Sequence, residues 1–469
     1  MKTNSKNSRL LSSLLSYYSR LPERSNSHPV VSEARQKAFD RLRDFGLPGK
    51  KDERWRDSAL LNVFDREFRL ETERQPYRKA INEIFECEIS GFHPEIISVL
   101  NGHYYAKDPG EIRSLDNGVL VGSILVAQKE FPALFDRYFG KIGDYKTDGL
   151  KAANTAFFKD GIFIYVPDGV EVNDALQLIK MVNETGNPFI ASRNLILLGK
   201  NSKLTFMHCD DSINHFSSFV NTFTEIYVGE NATLELYKLQ NLNDESALLN
   251  NTFIRQEKNS KTHANVISLN GGIIRNELHI DLAGEGAETD LSGVYLMDKE
   301  QHIDNQVYVN HLVPHCNSNT LYKGVLDNKA TAIFRGYIFV KRDAQKTNAF
   351  QKNNNILMTS DARIDTMPFL EIYADDVKCS HGATVGQLDD EALFYLMQRG
   401  INRDDATLLL MNAFTSEVTS KISIDPLRIT TEDMIKKRLR GELSICDKCI
   451  LHCSVPDQPV EFEIDLSKI

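Results

Sequence analysis

The sequence predicts a mainly β protein in which a long strand-rich centre lies between two helical segments. Residues 151–387 contain many short runs of strand-forming residues and little that would sustain a long helix. Apolar residues at helical spacing occur on both sides of this centre, in residues 1–150 and 388–469. Turn residues precede several strand runs, which is typical of repeated coils. We therefore expect an N-terminal helical domain, a β core and a C-terminal helical domain with these boundaries.

The N-terminal segment contains one well-marked helix. Apolar residues recur in it at helical spacing: Ala38, Phe39, Leu42 and Phe45. Ser32 is a candidate N-cap and Gly46 a candidate stop. Trp55, the only tryptophan of the chain, follows the helix-breaking sequence GLPG and is interpreted as an anchor that packs this domain.

Five segments of the centre place Gly, Asn or Asp turn residues before a small residue and an alternating strand. They begin at Gly199, Gly229, Gly284, Asp327 and Ser360. The intervals of 30, 55, 43 and 33 residues are too uneven for a strict repeat. The residues alone leave two architectures open, a β-solenoid with insertions and an ordinary sandwich.

Three helices are predicted in the C-terminal segment. Asp389 or Asp390 is placed to cap the first helix, and Asn402 is placed to cap the second. Thr430 and Asp433 have the spacing of a capping box, which predicts that the third helix begins near Thr430. We expect these helices to form a small bundle or a docking surface.

Charge and hydropathy argue against two classes of partner. The 65 acidic residues outnumber the 55 basic ones, and the resulting net charge of -10 argues against a nucleic-acid binder. No apolar run approaches the ~20 residues needed to cross a bilayer, and LLSSLLSYYS near the start is a poor signal core. The seven cysteines form an odd, sparse set, unlike a secreted disulfide framework. We expect a cytoplasmic protein with reduced thiols.

The stretch DDVKCSHGATVG holds the first candidate site. In an extended strand, Val377, Cys379 and His381 point to the same face. Thiolate and imidazole are ligands that suit zinc, copper or an iron-sulfur species. Two ligands do not complete a metal site, so the others would come from elsewhere in the chain or from another subunit. A packed core strand is the alternative for the same residues.

The tail sequence CDKCILHC holds the second candidate site. Cys446 and Cys449 have the C-x-x-C spacing that lets two thiolates bind one ion. Cys453 or His452 would complete the coordination. The second C-x-x-C half of a typical zinc site is missing, so exposed reduced thiols are the alternative.

The sequence gives little support to two classes of enzyme. The acidic doublets at 210–211 and 375–376 could supply the carboxylates of a solenoid carbohydrate enzyme. Adjacent strand residues face opposite ways, however, so each doublet gives one carboxylate per face and more often marks a turn. The phosphate-binding motifs G-x-x-x-x-G-K-[ST] and G-x-G-x-x-G are absent from the sequence, which disfavours an intrinsic nucleotide hydrolase.

The most specific signal is the run from Phe334 to Ile401, which resembles the SufB/SufD family of iron-sulfur cluster assembly proteins. Its AQKT, LEIYADD, CSHGATVG, LFYL and RGI elements are similar to the signature of that family. Two stretches nearer the start, GLPGKKDERW and KDGIFIYVPDGVEV, also resemble family elements. The resemblance implies a right-handed parallel β-helix (a solenoid) flanked by N-terminal and C-terminal helical domains.

The resemblance also implies a non-catalytic scaffold subunit that pairs with a SufB-like subunit. It would bind the ATPase SufC through the C-terminal helices, here residues 389–439. Hydrolysis in SufC would pull on these helices and open the subunit interface, where a transient iron-sulfur cluster or iron is held. A reduced flavin is associated with the family's complex, although no flavin motif is recognisable here. In isolation the subunit could form a homodimer.

Within the family, the chain is similar to the SufD branch. SufB-like sequences carry a cysteine where this chain has Ala362, and E-H-E-A-T where it has residues 380–384. The resemblance therefore implies that His381 faces the SufB cysteine as an interface cluster ligand, with Cys379 as a neighbour or second ligand. A SufB-like sulfur-accepting subunit is the alternative, with Cys379 or Cys316 taking the sulfur.

Overall fold

Two ten-stranded sheets form the centre of the molecule. The computed structural model describes the following residues: 8–20, 27–78, 89, 91–212 and 216–441. Within them, successive strands of the central region alternate between the two sheets, so that each strand pairs with the strand one coil later. The architecture is a parallel β-solenoid, which confirms the fold that the family resemblance implies.

The strands are numbered in chain order. The first sheet contains β1 (Glu95–Leu100), β2 (His103–Tyr104), β6 (Leu176–Val182), β8 (Lys203–Ser212), β10 (Thr233–Asn241), β12 (Lys261–Asn270), β14 (Glu288–Met297), β16 (Asn317–Leu326), β18 (Thr347–Leu357) and β20 (Val377–Gly386). The second sheet contains β3 (Arg113–Ser114), β4 (Leu120–Ser123), β5 (Ile162–Val166), β7 (Phe189–Leu198), β9 (Phe219–Val228), β11 (Ala247–Gln256), β13 (Ile273–Leu282), β15 (His302–His311), β17 (Thr331–Val340) and β19 (Arg363–Ile372).

The coils of the solenoid are nearly equal in length. From β7 onward, residues that pair between coils are separated by 26 residues at the shortest, between Ala247 and Ile273, and by 32 at the longest, between Thr331 and Arg363. The five turn segments found in the sequence lead into β8, β10, β14, β17 and β19. Their intervals are uneven because three precede strands of the first sheet, two precede strands of the second sheet, and intervening coils carry other turn residues.

Asparagines fix the turns that lead into three successive strands of the first sheet. Asn201, Asn231 and Asn259 have φ angles of 54°, 57° and 54°, in the left-handed region that asparagine tolerates better than most residues. Their amides also stack: Asn231 Nδ2 donates to Asn201 Oδ1 at 3.0 Å, and Asn259 Nδ2 donates to Asn231 Oδ1 at 3.2 Å. This ladder holds neighbouring coils in register.

Helices cover the outer faces of both sheets. They are α1 (Arg9–Tyr18), α2 (Pro29–Phe45), a 3-10 helix (Ala59–Asp65), α3 (Ile124–Glu130), α4 (Pro132–Tyr138), α5 (Gly149–Phe157), α6 (Asp390–Met397), α7 (Arg403–Thr419) and α8 (Asp425–Leu439). The N-terminal helices pack on outward residues of the second sheet, such as Phe219 and Phe253. Helices α7 and α8 pack on the first sheet, where Met411 and Met434 join Met207 in one apolar cluster. The inward residues of both sheets form the core of the solenoid.

Most predicted helix signals are confirmed. The side chain of Asp389 accepts from the N–H groups of Glu391 and Ala392 at the start of α6, and Asn402 accepts from the Asp405 N–H at the start of α7. Gly46 ends α2 with a φ of 78°.

Two predicted helix starts are wrong for the same reason. Helix α2 begins at Pro29, where His28 Nδ1 accepts from the Val30 N–H, so Ser32 lies inside the helix. Helix α8 begins at Asp425 with Pro426 in its first turn, so Thr430 lies inside it. Proline lacks an N–H and has a helical φ angle, so it is favoured in the first turn of a helix and sets the start at both places.

Short strands within the first 150 residues were missed. Strands β1 to β4 have two to six residues each, too few for a recognisable alternation, yet they join both sheets. The segment before residue 150 therefore contributes strands to the solenoid as well as helices. The boundaries of the three domains stay a prediction.

Trp55 anchors the segment that crosses the outer face of the second sheet. Its ring is 3% exposed and lies under the Arg275 guanidinium, whose Cζ is 3.8 Å from the ring centroid. The same segment is bound at Glu53, whose carbonyl oxygen accepts from Arg335 Nη1 at 2.6 Å. The predicted packing role of Trp55 is confirmed.

Replacing Trp55 with alanine is expected to destabilise the fold by about 3–5 kcal/mol, because a buried aromatic ring leaves a cavity and its cation contact is lost. Thermal unfolding followed by circular dichroism measures the effect. The matched control is Phe45→Ala, since the Phe45 ring is 62% exposed and its removal should change the free energy of unfolding by only about 0.5 kcal/mol. Equal changes in the free energy of unfolding for the two substitutions would contradict the packing role of Trp55.

Candidate functional site

The last coil of the solenoid leaves two long strand edges unpaired within the described residues. Strand β19 pairs with β17 alone and β20 pairs with β18 alone. Both are ten residues long. At the other end of the solenoid, the edges are formed by the two-residue strands β2 and β3. A long unpaired edge is a template for pairing with another chain.

Cys379 and His381 lie on the inward side of β20. They pair in register with Ala349 and Gln351 of β18, whose side chains are buried inside the solenoid. Because side chains alternate along a strand and paired residues share a face, both candidate ligands point toward the solenoid axis. The prediction that they share one strand face is confirmed.

Within the described residues no further coil stacks on this pair, since β20 is the last strand of the first sheet. His381 is exposed and Cys379 is half-buried. Cys379 packs against a small apolar cluster that includes Ala349 and Ala374. Burial raises the pKa of the Cys379 thiol above its usual value, so the thiol is neutral near pH 7.

Gln351 of β18 lies next to His381, one coil earlier in the solenoid. The sequence did not predict that it belongs to the site. Its Nε2 donates to the carbonyl oxygen of Gly336 at 3.1 Å, across the interior from β18 to β17. A Cβ at Gly336 would lie 2.3 Å from Gln351 Oε1, so only glycine leaves room for the amide in this position. Such a contact depends on the register of distant strands, which the local sequence does not reveal.

Apolar side chains are exposed around the last coil. Phe369, on the outer side of β19, is 44% exposed, and Tyr373, just after this strand, is 55% exposed. Phe350 of β18 is 42% exposed. Val385 of β20 is 47% exposed. Exposed apolar groups beside unpaired backbone are typical of an interaction surface.

The other cysteine and acidic positions do not join this site. Cys316 is fully buried with its Sγ 3.5 Å from the Gly284 carbonyl oxygen, and burial raises the pKa of its thiol. Ala362 is also buried. The doublet 375–376 lies in the turn before β20, as expected. The doublet 210–211 does not mark a turn: it lies within β8, where Asp210 is held by Asn250 Nδ2 at 2.9 Å.

Cys446, Cys449, His452 and Cys453 lie outside the described residues, so the predicted tail site stays a prediction. Among the residues that the structure describes, no group of three or more His, Cys, Asp or Glu side chains is arranged to hold a metal ion. The pair on β20 is therefore an incomplete ligand set within this part of the chain.

The C-terminal helices differ in how firmly they are held. Helix α7 is bound by Lys323, whose Nζ donates to the Phe414 carbonyl oxygen at 2.9 Å. Helix α8 is bound by Arg438, whose two terminal nitrogens donate to the Asp298 carboxylate at 2.8 and 2.7 Å. Helix α6 instead presents apolar residues to solvent: Phe394, Tyr395 and Met397 are 63%, 56% and 39% exposed. No helix in the described ranges is long and apolar enough to cross a membrane.

Comparisons with known proteins show which family this chain resembles. A family model described as "SUF system FeS cluster assembly, SufBD core domain" matches residues 181–414, and one described as "SufBD protein N-terminal region" matches residues 12–178. A SufBD family protein of Synechocystis is 30% identical over 416 residues, which cover 85% of this chain and 89% of the relative.

Two relatives carry the SufD name. The iron-sulfur cluster assembly protein SufD of Escherichia coli is 34% identical over 251 residues, 53% of this chain and 59% of that protein. The SufD protein of Bacillus subtilis is 28% identical over 329 residues, 69% of this chain and 75% of that protein.

The Cys379 thiol is expected to react slowly with iodoacetamide near neutral pH and progressively faster as the pH rises into the alkaline range, because burial raises its pKa and only the thiolate reacts. Timed labelling followed by peptide mass spectrometry measures the rate. Cys316 serves as the internal control, since its burial should prevent labelling until the protein unfolds. A Cys379 rate that already levels off near pH 7 would contradict the neutral thiol.

Proposed function

This chain belongs to the SufBD family of iron-sulfur cluster assembly proteins, and from this premise we propose that it is the SufD-like scaffold subunit of a complex with a SufB-like subunit. The partner pairs with the edges of β19 and β20. The nascent cluster, or the iron that precedes it, is the cargo of the interface rather than a resident cofactor.

The proposal is carried by one observation: Cys379 and His381 lie side by side on the inward face of an unpaired terminal strand. Iron-sulfur species need more ligands than two, and the described residues supply no third near the pair. A second chain that pairs with β20 would bring its own ligands to the same place. A ligand set divided between two chains also allows the cargo to be released when the chains separate.

The two side chains have different roles in this proposal. His381 is exposed, so its imidazole is available to ligate or orient iron. Cys379 is half-buried with a neutral thiol, and it becomes a ligand only if metal binding displaces its proton. The burial of Cys316 and the alanine at position 362 support a role other than sulfur acceptor.

Replacing His381 with alanine is expected to lower the iron and acid-labile sulfide bound to the reconstituted complex by roughly tenfold or more, because a ligand is lost. The measurement compares anaerobic reconstitution of equal amounts of purified complex with SufB-like and SufC-like partners. His315→Ala is the matched control, since the His315 side chain is 57% exposed on a turn away from the last coil.

Two outcomes would count against the ligand role. If the His381→Ala complex keeps wild-type iron and sulfide, His381 does not hold the cargo. If it no longer assembles with the SufB-like subunit, the histidine is a structural part of the interface. Cys379→Ala is tested alongside. Loss of bound iron and sulfide in this variant would make Cys379 a second ligand, and wild-type amounts would make it a packing neighbour.

We further propose that a SufC-like ATPase docks on the C-terminal helices and that its hydrolysis cycle moves this subunit, which does not itself hydrolyse ATP. The exposed apolar face of α6 supports a docking surface. The contacts of Lys323 and Arg438 join α7 and α8 to the first sheet, so a pull on these helices reaches the sheet that ends in β20.

Replacing Phe394 with aspartate is expected to weaken binding of the ATPase by about tenfold or more, because an apolar anchor is replaced by a charge. Titration calorimetry with the purified ATPase measures the affinity, and stimulation of ATP hydrolysis measures the coupling. Phe45→Asp, at an exposed phenylalanine of the N-terminal segment, is the control. Normal affinity and stimulation in the Phe394 variant would exclude α6 as the docking surface.

The edges that receive the SufB-like subunit would also pair two copies of this chain when the partner is missing, which is the origin we propose for a homodimer. The reduced flavin implied by the family resemblance stays an expectation without a site in this proposal.

A further inference from the structure

A group of ionisable side chains lies inside the solenoid, far from the last coil. Lys180, His208, Asp210 and Lys238 occupy inward positions on the neighbouring strands β6, β8 and β10, and each is at most 6% exposed. Asp210 Oδ1 is 3.2 Å from His208 Nε2 and 3.5 Å from Lys180 Nζ. Neither the proposed cluster site nor the helix docking uses these residues.

Burial and the contacts within this group set the protonation of its members at neutral pH. Burial lowers the pKa of His208 to about 4, so its imidazole is neutral. Burial raises the pKa of Asp210, but His208 and the lysines outweigh it and leave the pKa well below its usual range. Burial lowers the pKa of Lys238 to about 8, which still leaves the amine mostly protonated at pH 7. Burial also lowers the pKa of Lys180, and Asp210, whose Oδ1 is 3.5 Å from Lys180 Nζ, opposes that effect.

Lys238 is the cation without a carboxylate partner. Its Nζ donates to Thr252 Oγ1 at 3.2 Å, and no acidic side chain of the described residues lies within ion-pair distance of it, although the charge of Asp210 partly offsets the effect of burial on the Lys238 pKa. Asp210 is instead engaged by Lys180 and His208. An ammonium group has three protons to donate, and a buried charge without a counter-charge is costly. Such a site favours either loss of the proton or a bound anion.

A cavity of about 20 Å³ adjoins Lys238 inside the solenoid. Thr252, Asn305 and Glu277 also line it, together with apolar side chains such as those of Leu236 and Val307. The Glu277 carboxylate is paired with Lys151 and Arg275. The Nδ2 of Asn305 is buried and makes no hydrogen bond, although its Oδ1 accepts from Asn276 Nδ2 at 3.0 Å. Asn250, which also lines the cavity, has its Oδ1 without a partner. The volume suffices for one group of about the size of a water molecule.

We propose that this cavity binds one small monovalent anion of about the size of chloride, held by the Lys238 ammonium, the Thr252 hydroxyl and the Asn305 amide. The anion pairs with the Lys238 ammonium, which has no carboxylate of the described residues within ion-pair distance, and accepts from the unpaired Asn305 donor. Multivalent oxyanions exceed the available volume, and the Lys238 ammonium would repel a metal cation. The site is independent of the pairing with a SufB-like subunit.

Long-wavelength diffraction from crystals of the full chain, grown from protein kept in sodium chloride, tests the proposal because chloride scatters anomalously there and water does not. The expected result is an anomalous peak in the cavity beside Lys238 Nζ. Electron density without an anomalous signal, which denotes a water molecule, or a cavity without density would overturn the proposal.

Two variants sharpen the test. Lys238→Met keeps the length of the side chain and removes its charge, and is expected to abolish the anomalous peak. Lys329→Met, at a lysine whose side chain is 66% exposed, should keep the peak. A peak that persists in Lys238→Met would also overturn the assignment. If that variant fails to fold, the wild-type map alone decides.

Discussion

Parallel pairing between successive coils is the interaction on which the rest of the structure depends. Each strand pairs its backbone N–H and C=O groups with the strands one coil before and one coil after. Unpaired backbone groups therefore remain only where the coils end. At the start of the solenoid the two-residue strands β2 and β3 blunt the edges. At its end, ten-residue edges are left on β19 and β20. The position of Cys379 and His381 on one of these edges makes the end of the solenoid the candidate site.

The same sheet connects the two surfaces that the proposed function requires. Helices α7 and α8 pack on the first sheet, and Lys323 and Arg438 bind them to strand β16 and to the end of β14. Two coils later this sheet ends in β20 with His381. A displacement of the docked helices would therefore act on the sheet that carries the interface. Lys238 lies on β10, five strands away from β20 in the same sheet.

Local patterns predicted the features that depend on neighbouring residues. The alternation of Cys379 and His381, the cap of α7 at Asn402 and the stop at Gly46 are each decided within a few residues, and all three are confirmed. The sequence did not reveal the coil length, because the five turn segments precede strands of two different sheets and their intervals are therefore uneven. Contacts between distant strands, such as Gln351 with Gly336 or Lys180 with Asp210, could not be predicted because the register sets them.

Hydrogen exchange of the backbone amides in β20, measured with and without a SufB-like subunit, tests the central claim most directly. The account predicts that amides on the free edge of residues 377–386 exchange quickly in the isolated chain and become strongly protected in the complex, while β10 changes little. Complex formation without added protection in β19 or β20 would contradict the claim that the open end of the solenoid is the interface.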